Sequence, residues 1–283
     1  MKIMVTGATG RLGSLIAARL LDAGVDPGEL VLGVRDPAKL SWTHGGEVRH
    51  ADYDRPETLD TAFTGVGKLL LMSANGTHTE RAGQHARAID AAARAGVAHI
   101  VYTGILSTAP EIIGRPAWDT EIALAASGVP TTVLRHALYT QNYATDLPEA
   151  LADGELLTAT GDGRLASADR RDLARAAAAV LTGTGHEGRA YELTGPRAWS
   201  LDEMCATAAS TAGRPLTHRS VSVPELRRVF ADLGVPPHGI DVISGIQAGI
   251  RDGLFSTVTP DLENLLGGPA TPMEETVRDA LAV

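Results

Sequence analysis

Three features of the chain predict an α/β fold: a doubly wound parallel sheet with a smaller, mostly helical C-terminal portion. Short apolar and β-branched runs alternate with amphipathic helical stretches through the first half. Those runs are apolar on both faces, as strands covered on each side must be. A glycine-rich turn, Gly7-Ala8-Thr9-Gly10-Arg11-Leu12-Gly13, joins the first run to the first helix.

Taken in order, Ile3-Met4-Val5 reads as a strand, and Leu12 to Ala23 as a helix with apolar residues at Leu12, Ile16 and Leu20. Leu30 to Val34 is the second strand and Glu47-Val48-Arg49 a short third one. Pro56 opens a helix that runs to Phe63. Leu69 to Met72 is a fully apolar strand, and His78 to Ala95 a long helix stopped by Gly96. Ile100-Val101-Tyr102, a helix over Asp119 to Ala126, and Thr132-Val133-Leu134 complete the first half. The second half is interrupted by turns such as Gly161-Asp162-Gly163. Its helices are Asp169 to Leu181, Ser200 to Ala212, Val223 to Leu233 and the stretch from Met273. Ala190 to Leu193 and His218 to Val221 are short strand candidates. The expected organisation is a nucleotide-binding domain over 1–150 and a smaller substrate portion over 151–283, partly interleaved with the core. The substrate is expected in the cleft between them.

Composition excludes several classes. With 283 residues, 44% of them apolar and 21% charged, the chain has the make-up of an ordered globular protein. The balance of 25 basic and 34 acidic residues gives −9, and no basic cluster stands out, so a nucleic-acid partner is not expected. No run of apolar residues is long enough to cross a bilayer, and the N-terminus lacks signal-peptide anatomy. Cys205 is the sole cysteine, so no internal disulfide forms, and a reducing cytoplasm is the expected location. The nine histidines make no HExxH or close pair, so no metal site is expected. No GxSxG marks a serine hydrolase.

The glycine turn carries the first chemical signal. Its GxxGxxG spacing follows a strand and opens a helix, where free N–H groups and the positive end of the helix dipole meet a pyrophosphate. Gly7, Thr9, Gly10, Arg11, Leu12 and Gly13 are therefore expected to bind a dinucleotide. The end of the second strand selects which one. Arg35 stands where an arginine pairs with a 2′-phosphate, which favours NADP. Asp36 beside it could face a free ribose instead and keeps NAD as the alternative. Ligands bind at the carboxyl edge of such sheets, which nominates Asp52, Tyr53, Met72, Ser73, Ala74, Thr103 and Gly104 for the cofactor.

Reductases of this general kind often pair a tyrosine with a lysine four residues later. Here the residues four places after Tyr53, Tyr102, Tyr139, Tyr143 and Tyr191 are Glu57, Leu106, Tyr143, Leu147 and Gly195, and no lysine follows Lys68. A reaction without that pair needs an acceptor that is already strongly electrophilic, such as a quinone. The protein then supplies chiefly proximity and orientation. His136 and Tyr139 are the candidate proton donors or polarising groups. A satisfied core histidine and a packing tyrosine are the alternative readings of the same two residues.

Together, VTGATGRLG (Val5 to Gly13), GVRDPAKL (Gly33 to Leu40), ADYDRPETL (Ala51 to Leu59), AGVAHIVYTG (Ala95 to Gly104), TVLRHALYTQNY (Thr132 to Tyr143) and GHEGRAYELTGP (Gly185 to Pro196) resemble the NmrA-like atypical short-chain dehydrogenases. The likeness is greatest to the bacterial quinone-reductase branch, with the triphenylmethane-dye reductases nearby. It implies a Rossmann-type domain, NADPH held by the Gly7 loop and Arg35, and an acceptor pocket near Tyr139, Asn142 and Tyr143; Asn75 and Ile105, at the ends of their strands, are expected to bind the substrate as well. It also implies a small aromatic or quinone substrate, and leaves a homodimer open. Tailoring of a polycyclic aromatic metabolite and a non-catalytic NADP-binding redox sensor are the alternative functions. The chain departs from the family's HxxTEK stretch: Thr120 and Glu121 match, but Ala117 and Ile122 replace the histidine and lysine. His136 stands where an asparagine is common. These departures imply a reshaped, more apolar pocket.

Overall fold

Seven strands form the central parallel sheet of the computed structural model, which describes residues 1–40, 42, 43 and 45–282 and only the backbone of Ile112. In chain order the first elements are β1 (Lys2–Thr6), α1 (Arg11–Asp22), β2 (Leu30–Val34), β3 (Glu47–His50), α2 (Pro56–Ala62) and β4 (Val66–Leu71). Then follow α3 (His78–Arg94), β5 (His99–Ile105), α4 (Glu111–Ala126), β6 (Thr131–His136), α5 (Gln141–Ala144) and α6 (Leu147–Asp153). The remainder is β7 (Glu155–Thr158), β8 (Arg164–Leu165), α7 (Arg170–Thr182), β9 (Ala190–Leu193), β10 (Trp199–Ser200) and α8 (Leu201–Ala212). Last come β11 (Thr217–Ser220), α9 (Val223–Asp232), α10 (Pro237–Arg251), α11 (Asp261–Leu266) and α12 (Met273–Leu281).

The strand order is β3-β2-β1-β4-β5-β6-β9, and β1 pairs in parallel with both β2 and β4. The order reverses at β1 and β4, which is where such sheets bind ligands. Register aligns the carboxyl ends: Thr6 lies opposite Gly33, Val34 opposite His50, and Leu71 opposite Tyr102. The segments that follow β1, β2, β3, β4 and β5 therefore leave from one edge.

Contacts group the chain into two compact units. The first comprises Met1–Gly104, Pro116–Arg135 and Leu173–Tyr191, the second Ile105–Arg115, His136–Asp172 and Glu192–Val283. The core of the first unit gathers Met4, Val31, Phe63, Leu69, Leu71, Ile89, Ile100, Tyr102 and Val133. These are the apolar strand positions and one face of α2 and α3. In the second unit a smaller cluster joins Ala159, Val221 and Leu226. There β7 pairs in parallel with β11, and β8 antiparallel with β10.

Capping explains several boundaries. Thr77 and Glu80 form a reciprocal box at the start of α3, and the side chains of Ser200 and Ser222 accept from the third residue of α8 and α9. The helix expected over Asp119 to Ala126 starts earlier, at Glu111, and carries Pro116 inside it. Strand β6 ends at His136, so Tyr139 lies beyond it and is fixed instead by a bridge to Ala168.

Candidate active site

The glycine turn is built so that its backbone comes to the surface at the start of α1. Gly7 has φ +60°, and its carbonyl accepts from the Gly10 N–H at 2.9 Å. A Cβ on Gly13 would lie 2.4 Å from that same carbonyl oxygen, so only glycine lets α1 begin this close to the turn. The cap residue Gly10 offers no side chain to the first amides of α1. The N–H groups of Arg11, Leu12 and Gly13 are therefore left without a side-chain cap and are available to an anion. Gly7, Thr9, Gly10 and Arg11 are exposed, whereas the Leu12 side chain is buried, so Leu12 offers its amide alone. This cradle fits the diphosphate of a dinucleotide.

The residues after β2 fit the 2′-phosphate. Asp36 is occupied: its Oδ1 accepts from the Ala38 N–H at 3.1 Å and caps a short turn, and Oδ2 lies 3.8 Å from Lys39 Nζ. Arg35 is exposed and has no ion-pair partner among the described residues. The acid that could have contacted a ribose is thus committed locally, and the guanidinium is free.

Met72 lies beneath the glycine turn, with its Cβ 3.4 Å from where a Gly7 Cβ would sit. The Met72, Ser73 and Ala74 amides donate to Thr6 Oγ1 (2.9 Å), Thr103 Oγ1 (3.0 Å) and His85 Nε2 (2.8 Å). Tyr53 lends its hydroxyl to the same scaffold, donating to the Met72 carbonyl at 3.1 Å and lying 2.6 Å from Thr6 Oγ1. Burial pushes the Tyr53 phenol upward, against the hydrogen bond with Thr6. Asp52 accepts from the Asp54 N–H at 3.0 Å. Gly104 is half-buried, and Asn75 is exposed at the end of this segment.

The second unit gathers another group. His136 is 2% exposed and its Nδ1 lies 3.2 Å from Tyr139 Oη. Its Nε2 is buried without a hydrogen-bond partner among the described residues. Burial pulls the imidazole down to about 4, so the ring is neutral near pH 7. Burial pushes the Tyr139 phenol up to about 12, against the opposing charge of Arg170. That guanidinium sits 4.9 Å from the Tyr139 ring centroid and donates to Asn142 Oδ1 at 3.0 Å. Tyr143 packs edge-on against Trp199, with centroids 5.9 Å apart. His136, Tyr139 and Asn142 thus share one cluster, Tyr143 belongs to a neighbouring ring pair, and Ile105 is half-buried at the end of β5.

Some contributors were not foreseen. Arg170 links Tyr139 to Asn142, yet a mixed-charge helix start gives no hint of it. His85 supports Ala74, and only its place in the Arg81–His85 spacing on one face of α3 could have suggested this. The matching part of the HxxTEK stretch is structural: Thr120 lies 2.6 Å from His85 Nδ1, and Glu121 takes a two-pronged contact from Arg135 at 2.7 and 3.0 Å. Where the histidine and lysine would be, Ala117 is buried and Ile122 is 68% exposed. The three lysines serve elsewhere: Lys2 bonds Glu47, Lys39 lies near Asp36, and Lys68 donates to the Leu181 and Gly183 carbonyls.

Known proteins are similar to this chain in sequence and in fold. The model of a family described as NAD(P)H-binding matches residues 7–184. Quinone oxidoreductase 2 of Escherichia coli is 37% identical over 97% of this chain and 97% of its own length. A (4-alkanoyl-5-oxo-2,5-dihydrofuran-3-yl)methyl phosphate reductase of Streptomyces griseus is 34% identical over 96% of this chain and 95% of its own. The triphenylmethane reductase of Citrobacter sp., solved in complex with NADP(H), superposes with a TM-score of 0.94 at 37% identity, covering 99% of this chain and all of that one. A glycine cradle at the sheet's reversal point, matched along more than half of the chain, leads to one conclusion: this chain belongs to the NAD(P)H-binding family.

Proposed function

We propose that the chain is a cytoplasmic NADPH-dependent oxidoreductase that transfers hydride to a quinone or a related planar aromatic acceptor. Gly7 to Gly13 and Arg35 hold the cofactor. His136, Tyr139, Asn142 and Tyr143 serve the acceptor. Bound NADPH supplies a hydride from its nicotinamide ring. The observation that carries the acceptor class is the pairing of a weakly acidic Tyr139 with a neutral His136, with every lysine engaged elsewhere. Such a pair donates a hydrogen bond and orients a ring but is a poor proton source. A reduced quinone is a phenolate, whose conjugate acid is near the tyrosine value of about 10, so water can protonate it. A simple alkoxide is far more basic and would need the missing acid.

The quinone and dye reductases among its relatives support this reading, and the Streptomyces phosphate reductase adds conjugated lactones as acceptors to test. Loss of nicotinamide absorbance is followed with NADPH and then NADH, against naphthoquinones, polycyclic quinones and an unsaturated lactone. Saturable turnover with a quinone is expected. Tight NADP binding without turnover on any quinone would sink the proposal and favour a redox sensor.

A further inference from the structure

The segment after β4 is held by three consecutive amides, each donating to a side chain from a different element: Thr6 on β1, Thr103 on β5 and His85 on α3. Two of these acceptors are hydroxyls, which can accept in any rotamer. The third is an imidazole nitrogen, which accepts only in one tautomer. His85 is fully buried, 5.5 Å from the Tyr102 ring and 6.2 Å from the Tyr53 ring. Its Nε2 must carry the lone pair, because the Ala74 N–H points at it from 2.8 Å. The proton then sits on Nδ1, which donates to Thr120 Oγ1 at 2.6 Å. The Thr120 hydroxyl donates its hydrogen bond to the Pro116 carbonyl at 2.7 Å and so accepts from the ring. Pro116 lies inside α4 and has no N–H of its own.

We infer that His85 is a positioning residue for the dinucleotide: Thr120 locks its tautomer, and the locked ring fixes the Met72–Asn75 segment against which the cofactor lies. The inference rests on reading that segment as part of the cofactor groove. Arg81, one turn earlier on α3, donates to Ser73 Oγ at 2.8 Å and is the charged group that bears on the ring; Tyr53 and Tyr102 meet the ring edge-on. Burial, reinforced by Arg81, holds the imidazole down to about 4, which keeps Nε2 unprotonated near neutral pH. Both nitrogens are then used, one as acceptor and one as donor, which is what separates a positioning role from simple packing.

The test compares NADPH affinity, measured by calorimetry on the full chain, with steady-state constants for 1,4-naphthoquinone. His85→Phe keeps the ring volume and removes the acceptor. Thr120→Val removes the tautomer lock at nearly constant shape. His85→Gln brings an amide oxygen close to the position of Nε2 and restores an acceptor. His85→Phe and Thr120→Val should weaken NADPH binding roughly tenfold, on the scale of one buried hydrogen bond, with the quinone KM moved less than about twofold. His85→Gln should recover most of the affinity. Nitrogen-15 spectra of the histidine rings should show the Nδ1–H tautomer for His85 at pH 7. If folded Thr120→Val and His85→Phe bind NADPH as the parent does, or if the ring is the Nε2–H tautomer, the inference is wrong while the cofactor reading stands. If the parent chain binds neither NADPH nor NADH, the cofactor reading fails and the inference falls with it. Should His85→Phe fail to fold, Thr120→Val and the spectra decide alone.

Discussion

Replacing Gly13 by alanine sets two effects of known size against each other. Gly13 lies in the first turn of α1, and alanine in a helix is favoured over glycine by about 1 kcal/mol. Propensity alone therefore predicts a more stable protein. Against it, the new Cβ would meet the Gly7 carbonyl oxygen at 2.4 Å, its carbon at 3.0 Å and Ala8 Cα at 3.1 Å. All three are backbone atoms, and Gly7 is tied down by the Gly10 N–H and by its left-handed φ of +60°. Overpacking costs about 1–3 kcal/mol, and with three backbone atoms and no flexible side chain to absorb it the cost here is at the upper end, about 2–3 kcal/mol. The clash wins, and a net loss of about 1–2 kcal/mol is expected, or roughly 2–4 °C in Tm for a chain of this size. The displaced turn should also weaken NADPH binding at least about tenfold, since the cradle is backbone. Gly83 in the middle of α3 is the control. A Cβ there meets only the tip of Arg87, Nη1 at 3.3 Å, so Gly83→Ala should gain about 0.5–1 kcal/mol. Thermal melts and NADPH titrations on both variants settle the matter. A Gly13→Ala protein that melts as high as the parent and binds NADPH equally well would refute the cradle geometry.

Removing the free guanidinium with Arg35→Ala should raise the Kd for NADPH about 10- to 100-fold, the scale of a charge-assisted phosphate contact, while the Kd for NADH changes less than about twofold. Equal losses for both cofactors would show that Arg35 does not face the 2′-phosphate. Lys68→Met should cost about 1–3 kcal/mol in urea unfolding, because Nζ donates at 2.8 Å to carbonyls at the end of α7, where positive charge is also favoured by the helix dipole. An unchanged midpoint would make that contact dispensable. Buried His85 and His136 are each held from 6.5 down to about 4, so the unfolded chain binds more protons in that window. Their contribution is complete above about 6.5 and is lost as pH falls towards 4, by up to roughly 3 kcal/mol per ring. Urea midpoints between pH 4.5 and 7.5 should fall with acid, and His136→Phe should flatten the fall; an equally steep curve in that variant would count against a neutral buried His136.

Where local pattern and tertiary packing agree, the chain is readable from sequence. Strand β1, the glycine turn and α1 carry their own signals, and so do the capped helices α3 and α9. Reading fails where a residue answers to a distant neighbour. Helix α10 holds Gly239, Gly245 and Gly249, and so much glycine argues against a helix. Yet a Cβ on Gly249 would lie 2.8 Å from Pro110 and 2.9 Å from Phe255, so close packing selects glycine there and overrides propensity. In α4, Gly114 and Pro116 hide the first two turns from a periodicity search, although the Gly114 N–H still finds the Pro110 carbonyl at 2.7 Å. Strand β7 is only four residues long, and its partner β11 comes some sixty residues later.

The same division runs through the candidate site. The cofactor half is held by backbone, and backbone at such close range tolerates only glycine, so the constraint is written into the sequence as GxxGxxG. The acceptor half is held by side chains that meet through the fold. His136 and Tyr139 are three residues apart and were legible together, but the residue over the Tyr139 ring is Arg170, delivered by the bridge between Tyr139 and Ala168. Arginine at the head of a helix has many uses, so its type says nothing about this one. Substitutions that change the acceptor are therefore expected around Tyr139, where many side chains satisfy the backbone, and not in the turn, where one does. A screen of variants at Asn142 and Arg170 for altered quinone preference at constant NADPH affinity tests this separation, and a loss of NADPH binding as large as the loss of turnover would contradict it.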